Sequence, residues 1–270
     1  MPMTTASSPF RMFPAGILSA ILAIGLFVPL LAFAELSNDT LLGPGLRWRP
    51  AYDGSASQLV ELVPVVRYFG HPWFVRSTQG VLEGGVRMEL APGLHTGAQL
   101  AYESGRKMSE SDFLNNHNVS DINPGASIGA HLEWDLKIGP MPITLVARVR
   151  QHIDFDLGAQ VDLRLSAGVF QYGRFSAGVF TQFTWADTKS TSSSYAVTPT
   201  QSAVTGLPAF DASSGWLFGS LGLLWSFDLT RHWIVVCSME ARQLYGDAER
   251  SPITERSTNF YVNAGLAYRF

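Results

Sequence analysis

Apolar and polar side chains alternate with a period of two along most of this chain, and this alternation constrains the fold more than any other feature. In the segment 258–270, Phe260, Val262 and Leu266 alternate with polar or small residues, and the segment 141–153 repeats the pattern. Successive side chains of a β-strand point to opposite faces, whereas the apolar residues of a helix recur every three or four positions. The helical period fits neither segment. The pattern therefore predicts an all-β protein.

The connections between the predicted strands alternate between short turns and long polar loops. The predicted strands are residues 43–52, 58–69, 72–79, 82–90, 94–106, 125–138, 141–153, 157–171, 174–187, 215–228, 232–246 and 258–270. Short turns lie at 91–93, 139–140, 172–173 and 230–231, and long loops lie at 107–124, 188–214 and 247–257. Short periplasmic turns and long outer loops are typical of bacterial outer-membrane barrels, which have an even number of strands. We predict an antiparallel transmembrane β-barrel of about 12 strands, with both termini periplasmic.

The charged residues of these predicted strands lie on one face. An Arg or Lys on a lipid-facing surface costs about 2–4 kcal/mol near the bilayer midplane, so a face without charge is expected where strands touch lipid. A soluble β-sandwich also has one apolar and one charged face, and it remains the alternative. The strand charges are Arg47, Arg49, Glu61, Arg67, Arg76, Arg87, Glu89, Glu103, Glu133, Asp135, Arg148, Arg150, Asp162, Arg164, Arg174, Asp228, Glu240, Arg242 and Arg269.

Aromatic residues cluster toward the strand ends on the apolar face. They are Trp48, Trp73, Trp185, Trp225, Trp233, Tyr102 and Tyr245. Aromatic girdles occur where such barrels meet the lipid interface, although ordinary core aromatics would give the same pattern. The last strand ends in Tyr268-Arg269-Phe270, which resembles the terminal signal read by the outer-membrane assembly machinery. We expect Tyr268 and Phe270 to carry that signal.

The first 34 residues are predicted to be a secretory signal peptide, followed by a single barrel domain at 35–270. Arg11 precedes an apolar stretch from Ala15 to Leu31, and Ala32-Phe33-Ala34 provides a cleavage site. The alternative is a retained membrane anchor, because the stretch approaches the ~20 residues that a spanning helix needs. The prediction places the mature protein in the outer membrane, in contact with the lipid bilayer.

Composition excludes several classes of protein. The net charge of −3 is too close to neutral for a nucleic-acid binder that works by counterion release. The single cysteine, Cys237, rules out an internal disulfide and a cysteine-based zinc site. His131 is expected to face the interior as a hydrogen-bonded residue rather than a metal ligand. We expect no cofactor and no metal.

The sequence gives only weak support for a catalytic site. His117 lies near Ser120 and Asp121, and His152 lies near Asp154 and Asp156. Spacing within one loop is poor support for a catalytic site, because triads assemble from separate segments and local Ser and Asp residues usually serve turns. We therefore predict no enzymatic activity.

The inward charges are expected to pair across the barrel interior. Eleven arginines face eight acids, which is close to balance. A barrel of ~8 strands is filled by side chains and one of 16–18 holds a wide channel, so twelve strands predict a narrow, partly plugged, wet lumen. The residues expected to line it are Arg87, Glu89, Glu133, Asp135, Arg148, Arg150, Asp162, Arg164, Glu240, Arg242 and Arg269.

The order of several local motifs resembles the MipA/OmpV family of outer-membrane proteins. The motifs are Pro50-Ala51-Tyr52-Asp53-Gly54-Ser55, Leu62-Val63-Pro64-Val65-Val66-Arg67-Tyr68, Tyr102-Glu103-Ser104-Gly105-Arg106, Thr205-Gly206-Leu207-Pro208-Ala209-Phe210-Asp211-Ala212 and Leu244-Tyr245-Gly246-Asp247-Ala248-Glu249-Arg250-Ser251-Pro252-Ile253. The resemblance covers essentially all of 35–270. In the loop from Leu114 to Pro124 the sequence departs from relatives that carry a Gly-rich segment there.

The resemblance implies a scaffold for peptidoglycan-remodelling enzymes, with a murein lytic transglycosylase and a peptidoglycan synthase as partners. Other members of the family resemble porins or adhesins. A narrow porin-like channel for small solutes and a surface-loop adhesin therefore remain alternatives. An excess of inward arginine would favour small anions in a channel.

Overall fold

The computed structural model describes residues 39–78 and 81–270, so the predicted signal peptide at 1–34 lies outside the described residues. Twelve antiparallel strands form one closed barrel, in which each strand pairs with the next and β1 pairs with β12. The strands are β1 Leu41–Pro50, β2 Gln58–Phe69, β3 Trp73–Thr78, β4 Val81–Ala91, β5 Leu94–Glu103, β6 Gly125–Ile138, β7 Met141–His152, β8 Ala159–Tyr172, β9 Phe175–Ala186, β10 Gly215–Asp228, β11 Trp233–Leu244 and β12 Thr258–Arg269. The predicted barrel is confirmed, including the separation of β3 from β4.

Some strand ends differ from the prediction for local reasons. β1 ends at Pro50 rather than residue 52, because the Arg49 guanidinium donates to the carbonyls of Pro50 and Ala51 and turns the chain. Tyr245 is not the end of a strand. It precedes a short helix that begins at Gly246, whose φ of 58° few other residues adopt.

The exterior of the barrel is an apolar band. Among the described residues, none of the strands carries a charged side chain at an outward position. Outward residues such as Leu46, Leu62, Leu100, Ile128 and Leu221 are more than half exposed. A surface of this kind is suited to hydrocarbon rather than to water.

Both chain ends of the described barrel lie at the same rim, which we call the terminal end. The N–H of Phe270 donates to the carbonyl of Thr40 at 3.1 Å. The terminal end carries short turns, including those at 92–93 and 139–140. The opposite rim, called the loop end, carries the long connections.

The long connections at the loop end contain short helices and pack into a cap. The cap comprises residues 51–57, 104–124, 187–214 and 245–257. Its helices are α1 Asp112–Asn116, α2 Thr188–Tyr195, α3 Pro199–Thr205 and α4 Gly246–Arg250. Local signals define these helices, since Asp187 caps α2 and Thr198 forms a capping box with Gln201 at α3. Within the residues that the structure describes, no helix is long and apolar enough to span a bilayer.

Candidate functional site

Two buried apolar clusters hold the cap together. One joins Tyr52, Leu114, Leu207 and Ile253, which come from four different connections. The other packs Tyr195 against wall residues of β10 and β11. The sequence analysis treated these connections as polar loops, whereas the structure folds their scattered apolar residues inward over the barrel.

Asp53 anchors the cap to the barrel wall. Its carboxylate accepts hydrogen bonds from the Arg242 guanidinium at 2.7 Å and from the Tyr261 hydroxyl. The Tyr195 hydroxyl donates to the Asp53 carbonyl at 3.2 Å. Burial alone would raise the pKa of Asp53, but Arg242 and Tyr261 outweigh it and hold the pKa below its usual value.

Below the cap, ion pairs cross the lumen between β3 and β8. Glu83 is 1% exposed and accepts hydrogen bonds from Arg76, from Arg148 at 2.6 Å and from Gln99 at 2.9 Å. Arg148 also donates to Asp162 at 2.9 Å. A carboxylate at this depth is held ionised by its arginine partners, because an unpaired charge there would be costly.

Further pairs extend this network around the wall. Arg150 donates to Asp162 at 3.0 Å and to Glu103 at 2.7 Å. Glu133 accepts from Arg76 at 2.8 Å and lies 3.7 Å from Arg87. Charged side chains from six neighbouring strands therefore form one connected network.

Two cavities lie in the described part of the lumen, with a packed layer between them. The upper cavity, of about 310 Å³, lies below the cap, and we call it the chamber. The lower cavity, of about 120 Å³, lies toward the terminal end. Asp162, Arg164, Phe180 and Glu240 face inward between the two linings and belong to neither. The Arg164 guanidinium carbon lies 4.0 Å from the Phe180 ring centre, and Phe180 is fully buried.

The chamber is rich in arginine. The described residues lining it include six arginines and two acids, together with tyrosine, serine and glutamine side chains. Some of these arginines have carboxylate partners just outside the lining, such as Glu61, which Arg49 contacts at 2.9 Å. The arginines of the lining are Arg47, Arg49, Arg106, Arg148, Arg150 and Arg242.

Arg106 has no carboxylate partner among the described residues. Its guanidinium donates to the carbonyls of Ser194 and Ser120, at 2.7 Å and 3.5 Å. Burial lowers the pKa of this guanidinium, and the side chain remains a cation beneath the cap. The other five arginines of the lining have carboxylate partners, so Arg106 is the arginine of the chamber whose charge is not balanced by an ion pair among the described residues.

The predicted lumen residues occupy different positions. Arg87, Glu133, Arg148, Arg150 and Asp162 belong to the network, and Arg164 and Glu240 belong to the packed layer. Arg242 lies in the chamber. Glu89 and Asp135 are exposed at the terminal end, where Arg269 contacts Asp39 at 3.0 Å and Asp228 at 2.7 Å.

Tyr268 and Phe270, predicted to carry the assembly signal, lie at the terminal end. Tyr268 stacks on His232 and meets Trp233 edge to face, with ring centres 5.4 Å apart in both cases. Phe270 packs against Tyr268 at 4.9 Å and is largely exposed. Recognition of Tyr268 and Phe270 by the outer-membrane assembly machinery stays a prediction.

The prediction overlooked Glu83, Asp53 and Arg106. Glu83 has the same strand parity as Arg87 and Glu89, so the period-two alternation could have identified it. Asp53 lies in a connection, where no periodicity assigns a side chain to the interior. Arg106 was included in the predicted strand 94–106, but β5 ends at Glu103, so the alternation does not set the direction of its side chain.

A family described as MltA-interacting protein MipA matches residues 42–270. The chain belongs to the MipA family. Among solved structures, an outer membrane channel from Pseudomonas putida F1 is similar over 89% of this chain and 100% of its own length, with a TM-score of 0.51 and 10% identity. The NanC porin is similar over 84% of this chain and 100% of its own, with a TM-score of 0.39 and 4% identity. No curated protein matches the sequence significantly.

This member of the MipA family is an outer-membrane β-barrel. The family assignment, the closed barrel shared with the Pseudomonas protein and the uncharged apolar exterior agree on this. A likeness at 10% identity concerns the fold alone. The alternative of a soluble β-sandwich is thereby excluded, because the sheet closes on itself and its apolar side faces outward.

The candidate catalytic groups of this family member serve local structure. His117 packs on Phe113, with ring centres 4.4 Å apart, and its Nδ1 lies 2.9 Å from the Phe113 carbonyl. His152 Nδ1 accepts from the Asp154 N–H at 3.0 Å. The Asp154 carboxylate in turn accepts from the Asp156 N–H at 3.1 Å, which shapes the turn. In the described ranges, no group of three or more His, Cys, Asp and Glu side chains is arranged to hold a metal ion.

Proposed function

We propose that this protein is a scaffold that holds peptidoglycan-remodelling enzymes at the outer membrane, with a murein lytic transglycosylase as its first partner. The family bears the name of a protein that interacts with MltA. The structural observation that carries the proposal is the obstructed lumen. The cap, the ion-pair network and the Phe180 layer obstruct a path through the interior, so the exposed rims are the surfaces best placed for function.

The terminal end is the surface we assign to docking. We propose that it faces the periplasm, as short turns do in bacterial barrels. It carries exposed charges of both signs, including Glu89, Lys137, Arg174 and Arg231. Such a polar rim suits a reversible contact with a soluble enzyme.

Crosslinking in cells followed by purification tests this proposal. The barrel is expected to recover a murein lytic transglycosylase, and the double variant Lys137→Glu with Arg174→Glu is expected to reduce recovery at least tenfold. The matched control is Lys107→Glu with Arg256→Glu, which reverses two exposed charges at the loop end and should leave recovery unchanged. Absence of every murein enzyme from the crosslinked wild-type protein would refute the scaffold.

A narrow channel for small anions is the second candidate. The arginine-rich chamber favours it, because positive charge in a confined space attracts anions. Single-channel recording in planar bilayers separates the two functions: a scaffold with an obstructed lumen gives no conductance steps. The surface-loop adhesin stays a prediction.

A further inference from the structure

Among the described residues, the ion pairs around the chamber form two groups, and each group has as many acids as arginines. The ion-pair network contains Arg76, Arg87, Arg148 and Arg150 with Glu83, Glu103, Glu133 and Asp162. The group nearer the cap contains Arg47, Arg49 and Arg242 with Asp53, Glu61 and Glu240. Arg106 belongs to neither group, so one positive charge of the chamber lining is left over.

The Arg106 guanidinium has hydrogen-bond donors to spare. The side chain lines the chamber and is 7% exposed. It donates to the carbonyls of Ser194 and Ser120, and its Nε is buried without a hydrogen-bond partner in the described protein. A guanidinium has five N–H donors, so two carbonyls leave it incompletely bound.

No carboxylate of the described residues supplies the missing acceptor. Asp121 attracts Arg106 from a distance, but it is exposed and accepts from the Met108 N–H at 2.6 Å. The two acids of the chamber lining, Asp53 and Glu103, already bind Arg242 and Arg150, each at 2.7 Å. A buried guanidinium stays protonated and is costly without a counter-charge. The geometry therefore favours an anion that comes from outside the chain.

The carbonyl contacts of Arg106 explain its position but not its charge. Ser194 lies in the last turn of α2 and Ser120 lies in the connection 104–124, so the side chain ties two parts of the cap together. A cation near a helix C-terminus is also favourable. A neutral amide donor could make the same tie without burying a charge, however, so the tie alone does not require an arginine.

The chamber offers neutral polar groups beside this charge. Ser193, Ser194 and Tyr195 of α2 all belong to its lining, next to the carbonyl that Arg106 binds. The Tyr52 ring centre lies 5.8 Å from the Arg106 guanidinium carbon. The volume of about 310 Å³ is at the lower end of the ~300–1,000 Å³ typical of small-ligand sites. A hydroxylated body about the size of one sugar ring suits such a space.

The single unbalanced charge selects the charge of the ligand. A carboxylate carries one negative charge at neutral pH, whereas a phosphate monoester carries about 1.5 to 2. A dianion would leave an excess negative charge beneath the cap. A carboxylate also matches the paired N–H groups of a guanidinium in geometry.

We propose that the chamber binds a small acidic sugar, with its one carboxylate at Arg106 and its hydroxyl groups beside Ser193, Ser194 and Tyr195 of α2. The site lies under the cap and above the Phe180 layer, so it requires no open path through the lumen. The inference does not depend on the scaffold function.

Equilibrium dialysis of radiolabelled ligands against the full barrel in detergent micelles tests the proposal, in a chloride-free buffer and without any murein enzyme. The probe is D-glucuronate. D-glucose has a similar ring without the charge, acetate has the carboxylate without the ring, and glucose 6-phosphate has the ring with a phosphate. We expect glucuronate to bind at least tenfold more tightly than each of the three.

Variants of Arg106 assign the site. Arg106→Gln keeps a donor for the carbonyls and removes the charge, so it should weaken glucuronate binding at least tenfold. Arg106→Lys keeps the charge and should weaken binding less. Arg250→Gln is the matched control, because Arg250 is an exposed arginine of the same cap. Heat-modifiable migration on gels verifies that each variant is folded.

Ligand-induced stabilisation gives a second measurement. Glucuronate should raise the urea midpoint of the wild type and of Arg250→Gln, because a ligand that binds only the folded state stabilises it. It should leave the midpoint of Arg106→Gln unchanged. A purely structural Arg106 would lower the midpoint when replaced and would give no response to glucuronate in any variant.

Four outcomes would overturn the proposal. Absence of glucuronate binding to the wild type at millimolar concentration would leave the chamber without this ligand class. Equal binding of acetate would mean a simple anion site, and equal binding of glucose 6-phosphate would mean that the chamber does not select a single charge. Glucuronate binding that survives in folded Arg106→Gln would place the site elsewhere.

Discussion

Arg242 donates to the Asp53 carboxylate at 2.7 Å, although 189 positions separate the two residues in the chain. This contact ties the first connection at the loop end to β11 and closes the roof of the chamber. Removing the carboxylate leaves a buried guanidinium with one partner fewer. We expect Asp53→Asn to lower the free energy of unfolding by about 3–5 kcal/mol.

Urea unfolding in lipid vesicles measures the Asp53→Asn effect, and Asp156→Asn is its control. Asp156 pairs with Lys189 at 3.1 Å where both side chains are exposed, and such surface pairs contribute about 0–1 kcal/mol. Equal stability of Asp53→Asn and the wild type would show that Asp53 does not anchor the cap.

Lowering the pH should loosen the cap, because protonation of the Asp53 carboxylate weakens its contact with Arg242. Its pKa is lower in the folded protein than in the unfolded chain, so its contribution is complete above the unfolded value of about 3.9 and is lost as the pH falls through the folded value. We expect protease cleavage within residues 51–57 to increase below that pH. In Asp53→Asn, cleavage should be raised already at neutral pH and show less dependence on acid. An unchanged acid dependence in the variant would assign the transition to another group.

Glu83 should be the most sensitive acid of the ion-pair network. Glu83→Gln removes the charge that Arg76 and Arg148 share, and we expect a loss of about 3–5 kcal/mol in unfolding free energy. Glu89→Gln changes an exposed residue on the same face of β4 and should alter stability by less than about 0.5 kcal/mol. Urea titration of both variants in vesicles compares them. Similar losses would show that pairing across the lumen is unimportant.

Phe180 should control whether ions pass between the two cavities. Phe180→Ala removes a fully buried ring from the layer between them and is expected to produce conductance steps in planar bilayers that the wild type lacks. Phe183→Ala, on the outward face of β9, is the control and should give none. A silent Phe180→Ala barrel, shown to be folded, would mean that the charged network or the cap alone blocks the lumen.

The orientation of the barrel can be measured by cysteine labelling in a Cys237→Ser background. Arg256→Cys lies in the cap, and Pro140→Cys lies in a turn at the terminal end. If the terminal end faces the periplasm, a membrane-impermeant maleimide labels the first in intact cells and the second after the outer membrane is permeabilised. The reverse pattern would contradict the proposed orientation and the docking surface.

The strand order and the two faces of the wall could be read from the sequence, because a strand repeats every two residues wherever it lies. Leu62 and Arg148 could be assigned to opposite sides without coordinates on that ground. The ion pairs could be anticipated only as a near balance of charge. Which acid meets which arginine depends on the register around the barrel, and Glu83 became the centre of the network only when β4 met β7 across the lumen.

The alternation of residues by itself determined that this chain is all-β with one uncharged face, since side-chain direction in a strand is a local property. Tertiary structure decided that the sheet closes with its apolar face outward, and it alone decided the cap and the chamber. Asp53 and Arg106 acquire their roles from groups that are distant in the chain, and no local pattern encodes such distances.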